Sequence, residues 1–370
     1  MSTPFDQVDD LLQRICEKLQ ISSTQRELAK KRYEAVGQLL AKDEILSPTK
    51  PHIYPQGSLR IGTTVKPLSG QEYDLDLVCE LSLVNYQRYA PTTILNVIEA
   101  RLKSNDIYRP LIERLNRCIR LNYANEFHLD ILPACPDVMK NNGAVKVPDR
   151  KVQEWKDSNP KGYAEWFEQR SIIYEKVVAK VVEPLPYHEP VESKPPLKIA
   201  VQLMKRYRDI YFQDNNDVAP ISIVITTLAG LFYRSETSTN QSISNILQNI
   251  TSKISTNSHR LVVINPTNPD EDFSEKWEGN KELYANFVRW VFDFQEIWKI
   301  FNATKGSNAI KIIQKMFGED VTNIALKNQT EFMEKNRRNG LLGVSPSTGS
   351  ILIGTLGNAL PIKKNTFYGK

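Results

Sequence analysis

Cysteine is scarce in this chain of 370 residues. Cys16, Cys79, Cys118 and Cys135 stand far apart, and no two of them form a C-x-x-C pair. That spacing offers no disulfide framework. The four histidines, His52, His128, His188 and His259, are just as dispersed, which argues against a zinc site. Long apolar runs are missing too. The longest, residues 221–233, is short and carries a serine and two threonines, so no segment is expected to span a bilayer and no membrane partner is expected. No basic-then-apolar pattern opens the sequence, and the expected compartment is the cytoplasm. Charge of one sign is also in short supply: 48 Lys and Arg against 43 Asp and Glu leave +5. Proteins that track a duplex usually concentrate a larger excess in blocks, so nucleic acid is not a required partner. A mild surplus suits small polyanions.

What is present is ordinary for a globular protein with a real core: 41% hydrophobic and 25% charged residues. Phe5, Val8, Leu11, Leu12, Ile15 and Leu19 fall on one helical stripe. A second helix is expected from Thr24, with Glu27 completing a capping box, and the prolines of residues 48–55 end it. The period then changes. Residues 61–65 and 73–78 read as two strands joined by a turn at 68–71. A helix is expected over 92–104, strands near 118–123 and 126–132, and a helix over 160–182 with Tyr163, Trp166, Phe167, Ile172, Ile173 and Val177 as its apolar set. Residues 184–196 are proline-rich and read as a linker. Helices follow to about 335, including the face of Leu197, Ala200, Val201, Met204 and Tyr207. The Gly-, Ser-, Thr- and Asn-rich end from about Asn339 reads as a mobile tail. These elements predict an α+β fold in three parts: N-terminal helices and a mixed-sheet core over 1–185, a helical second lobe over 186–340, and a tail over 341–370.

Three pieces carry chemistry, in order: Pro55-Gln56-Gly57-Ser58, Tyr73-Asp74-Leu75-Asp76-Leu77 and Phe127-His128-Leu129-Asp130-Ile131-Leu132. On a strand, side chains at i and i+2 share a face. Asp74 and Asp76 therefore project together while Tyr73, Leu75 and Leu77 face a core. Ionised carboxylates side by side repel unless a cation sits between them. Asp130 has the same alternating surroundings, so a neighbouring strand would bring three carboxylates together. Hard oxygen donors of this kind suit magnesium, which keeps waters and binds substrate phosphates. Gly57 lets the backbone approach a phosphate closely, and Ser58 adds a donor, with Gln56 and Arg60 within range.

The order Gly57-Ser58, Asp74-Leu75-Asp76, Asp130 resembles the signature of the polymerase-beta-like nucleotidyltransferase superfamily. Within it, residues 56–63 followed by Tyr73-Asp74-Leu75-Asp76-Leu77-Val78 resemble the bacterial cGAS/DncV-like nucleotidyltransferases, the CD-NTases of anti-phage (CBASS) signalling operons. The resemblance implies a two-lobed enzyme with its active site in the cleft, nucleoside triphosphates as substrates, two Mg2+ ions with Mn2+ as a substitute, and a cyclic di- or trinucleotide product. It implies that Asp74 and Asp76 bind both metals, that Asp130 holds the one activating the acceptor hydroxyl, and that Gln56, Gly57 and Ser58 bind the triphosphate. Lys205 resembles the lysine that reaches the donor phosphates, and Ser222 the serine closing that pocket. Ile223 follows where cyclic GMP–AMP synthase has an aromatic, so base stacking is expected to come from elsewhere or to be weaker. The alternatives are a nucleotidyltransferase making linear oligonucleotides and a catalytically silent nucleotide-sensing module.

Other signals read as architecture or surface. Trp155, Trp166 and Phe167 are expected in cores, and Lys335, Arg337 and Arg338 on a solvated helix face. The terminal Phe367-Tyr368-Gly369-Lys370 resembles a handle for a ubiquitin-transfer-like conjugation partner, although Lys370 replaces a bare terminal glycine.

Overall fold

The structure, a computed structural model, describes residues 3–68, 72–83, 85–124, 126–140, 142–171, 183–186, 189–355, 357 and 359–362. A short strand β1 (Thr3–Pro4) leads into α1 (Gln7–Leu19), whose first amides are capped by the Asp6 carboxylate. Helix α2 (Ser23–Lys42) opens on a capping box formed by Ser22 and Gln25, two residues earlier than the expected Thr24–Glu27 pair. Ser22 has the extended backbone that a cap requires, whereas Thr24 already lies inside the helix.

The expected strand over 61–65 is not there. The strand is β2 (His52–Gln56), followed by the one-turn α3 (Gly57–Arg60) and then β3 (Tyr73–Glu80). Pro55, read as part of a helix stop, lies in β2 at the sheet edge, where a missing N–H is tolerated. Next come α4 (Pro91–Lys103), β4 (Ile112–Arg114), β5 (Ile119–Tyr123), β6 (Phe127–Pro136), β7 (Val145–Asp149) and β8 (Glu154–Ser158). These strands make one seven-stranded sheet in the order β2-β3-β6-β5-β4, with β7 bridging β6 and β8. The β3–β6 pair is parallel and the rest are antiparallel. Leu75, Leu77, Leu129 and Ile131 point from one face into a core closed by α2 and α4. Burying each such side chain contributes about 2 kcal/mol, which fixes the register and so the opposite face as well.

The helical body follows. It contains α5 (Pro160–Ser171), α6 (Pro196–Tyr211), α7 (Ser222–Phe232) and α8 (Thr239–Thr256), then the hairpin β9 (Ile264–Asn265) and β10 (Asn268–Asp272), then α9 (Lys276–Gly279), α10 (Lys281–Ala303), α11 (Ser307–Phe317) and α12 (Glu319–Arg338). The apolar faces of α1 and α5 belong to this body's core, although both precede the proline-rich stretch. Ile172, Ile173 and Val177 lie outside the described residues. No helix among the described residues is long and apolar enough to cross a membrane.

The mobile tail expected from Asn339 is contradicted as far as residue 362. Strands β11 (Leu342–Val344), β12 (Ile351–Ile353) and β13 (Leu360–Pro361) form a small antiparallel sheet, which β1 completes by pairing with β12. The composition between the strands is that of turns, and short Leu/Ile/Val runs supply the strands. The suggested conjugation handle at the extreme C-terminus lies outside the described residues.

Candidate active site

Gly57 turns the chain from β2 into α3 with a φ of +65°, a conformation that favours glycine. It also touches the acid strand: a Cβ placed on Gly57 would sit 2.2 Å from Asp76 Oδ2. The backbone of this turn is therefore packed directly against a carboxylate. The Ser58 hydroxyl lies 3.2 Å from Thr64 Oγ1. Arg60, weighed as a phosphate contact, is instead ion-paired with Glu168.

The sheet face opposite the α2/α4 core carries a polar row across four strands. Gln56 is the register partner of Asp76, Asp76 of Asp130, and Asp130 of Arg120. Register partners share a face, so the row is set by strand pairing alone. Two residues along, Asp74 pairs with His128 and His128 with Asn122. Asp130 is turned towards its other neighbour: Arg120 donates from Nε to Oδ1 at 2.7 Å and from Nη2 to Oδ2 at 2.8 Å, and Nη2 also reaches Asp74 Oδ1 at 3.2 Å. Among the described residues no three carboxylate, imidazole or thiol groups close around a single point as a ready-made metal site. Asp76 is different. It has no hydrogen-bonding side chain or backbone partner among the described residues, and burial, then Asp130 and Asp74, push its pKa up to about 8. A deeply set carboxylate beside two others, with its own lone pairs unused, is a donor set that fits a hard divalent cation.

Helix α6 faces this row across a cavity of about 550 Å³. Gln56, Gly57, Ser58, Asp74, Asp76, Lys205 and Ser222 all line it. Asp130 does not; it lies behind Asp76 with Arg120. Lys205 is buried, and its ammonium donates to Thr63 Oγ1 at 3.1 Å and to the Thr63 carbonyl at 3.3 Å. Two more groups hold the same loop: Lys194 Nζ donates to the Gly62 carbonyl at 2.8 Å, and Gln202 Nε2 to the Thr64 carbonyl at 2.7 Å. Three consecutive carbonyls of residues 62–64 are thus gripped from the helical body. Burial, then the nearby Arg208, lower Lys205 to about 7. Ser222 accepts a hydrogen bond from Arg208 Nη1 at 3.1 Å.

Arg120, Arg208 and Gln202 escape the sequence reading. Arg208 follows Lys205 by three residues on α6, a spacing that shares a face. Arg120 is found by counting back along the hairpin from the Tyr123–Phe127 pair. Ile223 lines the cavity, as do Tyr73, Tyr163 and Phe273. Trp166 and Phe167 pack in or against the helical core, and Trp155 stacks edge-on to Tyr86. Arg337 and Arg338 pair with Glu334 on the exposed end of α12.

The family described as the Second Messenger Oligonucleotide or Dinucleotide Synthetase domain matches residues 7–171. Over 98% of its own length and 97% of the relative's, the chain is 35% identical to a c-di-GMP synthase of Roseivirga ehrenbergii. The chain belongs to the CD-NTase family. It is 28% identical to the cyclic dinucleotide synthase CdnG of Bradyrhizobium diazoefficiens over 77% of this chain and 74% of that one. The structure of the same organism's CD-NTase CdnG in complex with GTP superposes with a TM-score of 0.74 at 24% identity, covering 89% of this chain and all of that one. The 3′-deoxy GTP bound form of Escherichia coli DncV gives 0.59 at 18% identity, covering 84% and 95%. These likenesses establish the α+β CD-NTase fold. As a CD-NTase the protein is a nucleotidyltransferase acting on nucleoside triphosphates to make a cyclic product, and divalent-metal dependence goes with the family.

Proposed function

We propose that this CD-NTase joins two molecules of GTP into cyclic di-GMP, as a signal in an anti-phage response in the cytoplasm. The chemistry rests on one observation above the rest: the Gly57 turn packs on Asp76, so the backbone assigned to the phosphates stands beside a carboxylate with no hydrogen-bond partner among the described residues. The choice of guanine is supported by the end-to-end likeness to a c-di-GMP synthase. The cytoplasm is supported by the free state of all four cysteines. Functionally we divide the chain into a core over 1–185, a helical lobe over 186–340 and a tail over 341–370, with α1 and α5 packed into the lobe.

Gln56, Gly57, Ser58, Lys205 and Ser222 hold the donor triphosphate, Asp74 and Asp76 face its α-phosphate, and Asp130 stands behind Asp76 on the same sheet face. Two magnesium ions held by these three aspartates would favour deprotonation of the attacking hydroxyl and balance charge on the departing pyrophosphate. In each step a ribose hydroxyl oxygen of one nucleotide bonds to the α-phosphorus of the other. The bond from that phosphorus to the pyrophosphate oxygen breaks, and the hydroxyl proton leaves to water. The first step gives a linear dinucleotide with its 5′-triphosphate intact, and the second closes the ring, so two pyrophosphates are released. Lys205 offers the phosphates a cation drawn from a buried site, where its charge is worth more than in water.

The test is to incubate purified protein with Mg2+ and each nucleoside triphosphate, alone and mixed, and to identify products by mass spectrometry after phosphatase treatment. GTP alone is expected to give a phosphatase-resistant product of the mass of cyclic di-GMP. A phosphatase-sensitive product would instead assign the enzyme to linear oligonucleotide synthesis. Triphosphate binding without pyrophosphate release would make it a silent sensor.

A further inference from the structure

Asp130 and Asp74 share one cation already present in the chain. Arg120 sits on β5 directly across from Asp130, and its guanidinium binds both Asp130 oxygens in a paired geometry while leaning on Asp74. Paired guanidinium–carboxylate contacts are among the strongest hydrogen bonds a protein makes, and they use the lone pairs that a metal would use. An ordinary cross-strand ion pair leaves the far side of its carboxylate in water. Here the far side faces Asp76, which has no partner of its own among the described residues. Three carboxylates therefore lie on one face with one guanidinium among them, placed off-centre.

We propose that Arg120 is a positioning residue that acts as a resident counter-cation: it holds Asp130 and Asp74 together before divalent metal arrives, and it is displaced from Asp130 as metal loads. This rests on the assignment of Asp74, Asp76 and Asp130 as the metal-binding carboxylates. Without the guanidinium the face would carry like charges with only the weakly placed Lys205 against them, and the strands would be forced apart or the carboxylates protonated. With it, the strands keep their register, and metal binding exchanges one cation for another. The arginine thereby sets how much free metal the enzyme needs.

The experiment uses Mn2+ alone, without nucleotide, and follows binding by calorimetry for the full-length wild type, Arg120→Gln, Arg120→Lys and Asp76→Asn. Arg120→Gln is expected to bind Mn2+ about 10-fold more tightly, because the competitor is gone. It is also expected to melt at a lower temperature than wild type without metal and to recover on adding it. Arg120→Lys, which keeps a charge but not the paired geometry, should fall between the two. A second measurement is read on the wild type: the Nε–H resonance of Arg120, assigned by its absence in the conservative Arg120→Lys, should move on titration with Mg2+. Unchanged or weaker Mn2+ binding in Arg120→Gln, or an Arg120 resonance indifferent to saturating Mg2+, overturns the proposal. If Asp76→Asn binds Mn2+ as wild type does, the carboxylate assignment itself fails. If Asp76→Asn loses binding while Arg120→Gln is unchanged, only the counter-cation role fails.

Discussion

Asp149 and Asp76 are side chains of the same type on strands of the same sheet, and their surroundings move them in opposite directions. Asp149 ends β7 and is met by donors. Its Oδ1 accepts from Asn116 Nδ2 and from the amides of Lys151 and Val152, and its Oδ2 accepts from Arg117 Nε at 2.8 Å. Burial alone would raise its pKa, but the hydrogen bonds from Arg117, Asn116 and Val152 outweigh it and hold the carboxyl below its usual range. Asp157 is held down in the same way by Lys146 and Lys140. Asp76 has burial and two neighbouring carboxylates, with Arg120 and Lys205 too weakly placed to compensate. A buried carboxylate ringed by donors is a finished piece of structure. One ringed by other carboxylates is costly as it stands and has its lone pairs free for something absent from the chain.

The contrast can be broken by swapping charge for neutrality at each site. Asp76→Asn is expected to lower pyrophosphate release by about 1,000-fold or more, since its carboxylate is assigned to both metals. The same variant should be more stable than wild type in metal-free buffer at pH 8, by on the order of a few kcal/mol. The sign follows from the raised pKa. The folded wild type binds the Asp76 proton more tightly than the unfolded chain does, so stability is lost as pH rises from about 4 to about 8. Urea melts of the two proteins at pH 4 and pH 8 check it: equal stability at both would remove Asp76 from its assigned environment. Asp149→Ala should behave oppositely. It should cost about 2 kcal/mol in a urea melt, discounted for the partial exposure of Arg117, and leave turnover of the folded enzyme within about threefold. The smallest effect concerns Lys205. Its pKa of about 7 leaves much of it neutral in the free enzyme above that pH, and a bound triphosphate favours the charged form. GTP binding should therefore take up a fraction of a proton at pH 8, and affinity should fall from pH 7 to pH 9. Calorimetry in two buffers of different ionisation enthalpy measures this uptake, which should vanish in Lys205→Met.

How much of this is legible without coordinates depends on the kind of signal. Strand β3 is legible because Tyr73, Leu75 and Leu77 alternate with Asp74 and Glu80 in the plain period of a sheet buried on one face. The helices of the second body are legible from their apolar stripes. Residues 61–65 mislead because Ile61, Thr63, Thr64 and Val65 have strand-like side chains, while what decides their path is the grip of Lys194, Gln202 and Lys205 from far along the chain. Pro55 misleads because an edge strand and a loop tolerate proline equally, and only the pairing partner tells them apart. The shared sheet face of the three aspartates is legible, but their electrostatic state is not. That depends on Arg120, whose partner is fixed by the β5–β6 register. The mixture of sheet and helix is legible as well, whereas the packing of α1 with helices some two hundred residues later is a tertiary fact with no local trace.

A length of chain fastened at three successive links cannot flex between them. Residues 62–64 are pinned in that manner to the base of the helical body, and the turn bearing Gly57 and Ser58 is anchored a few bonds upstream. The segment acts as a strut that ties the Gly57 turn to the helical body, so neither can shift without the other.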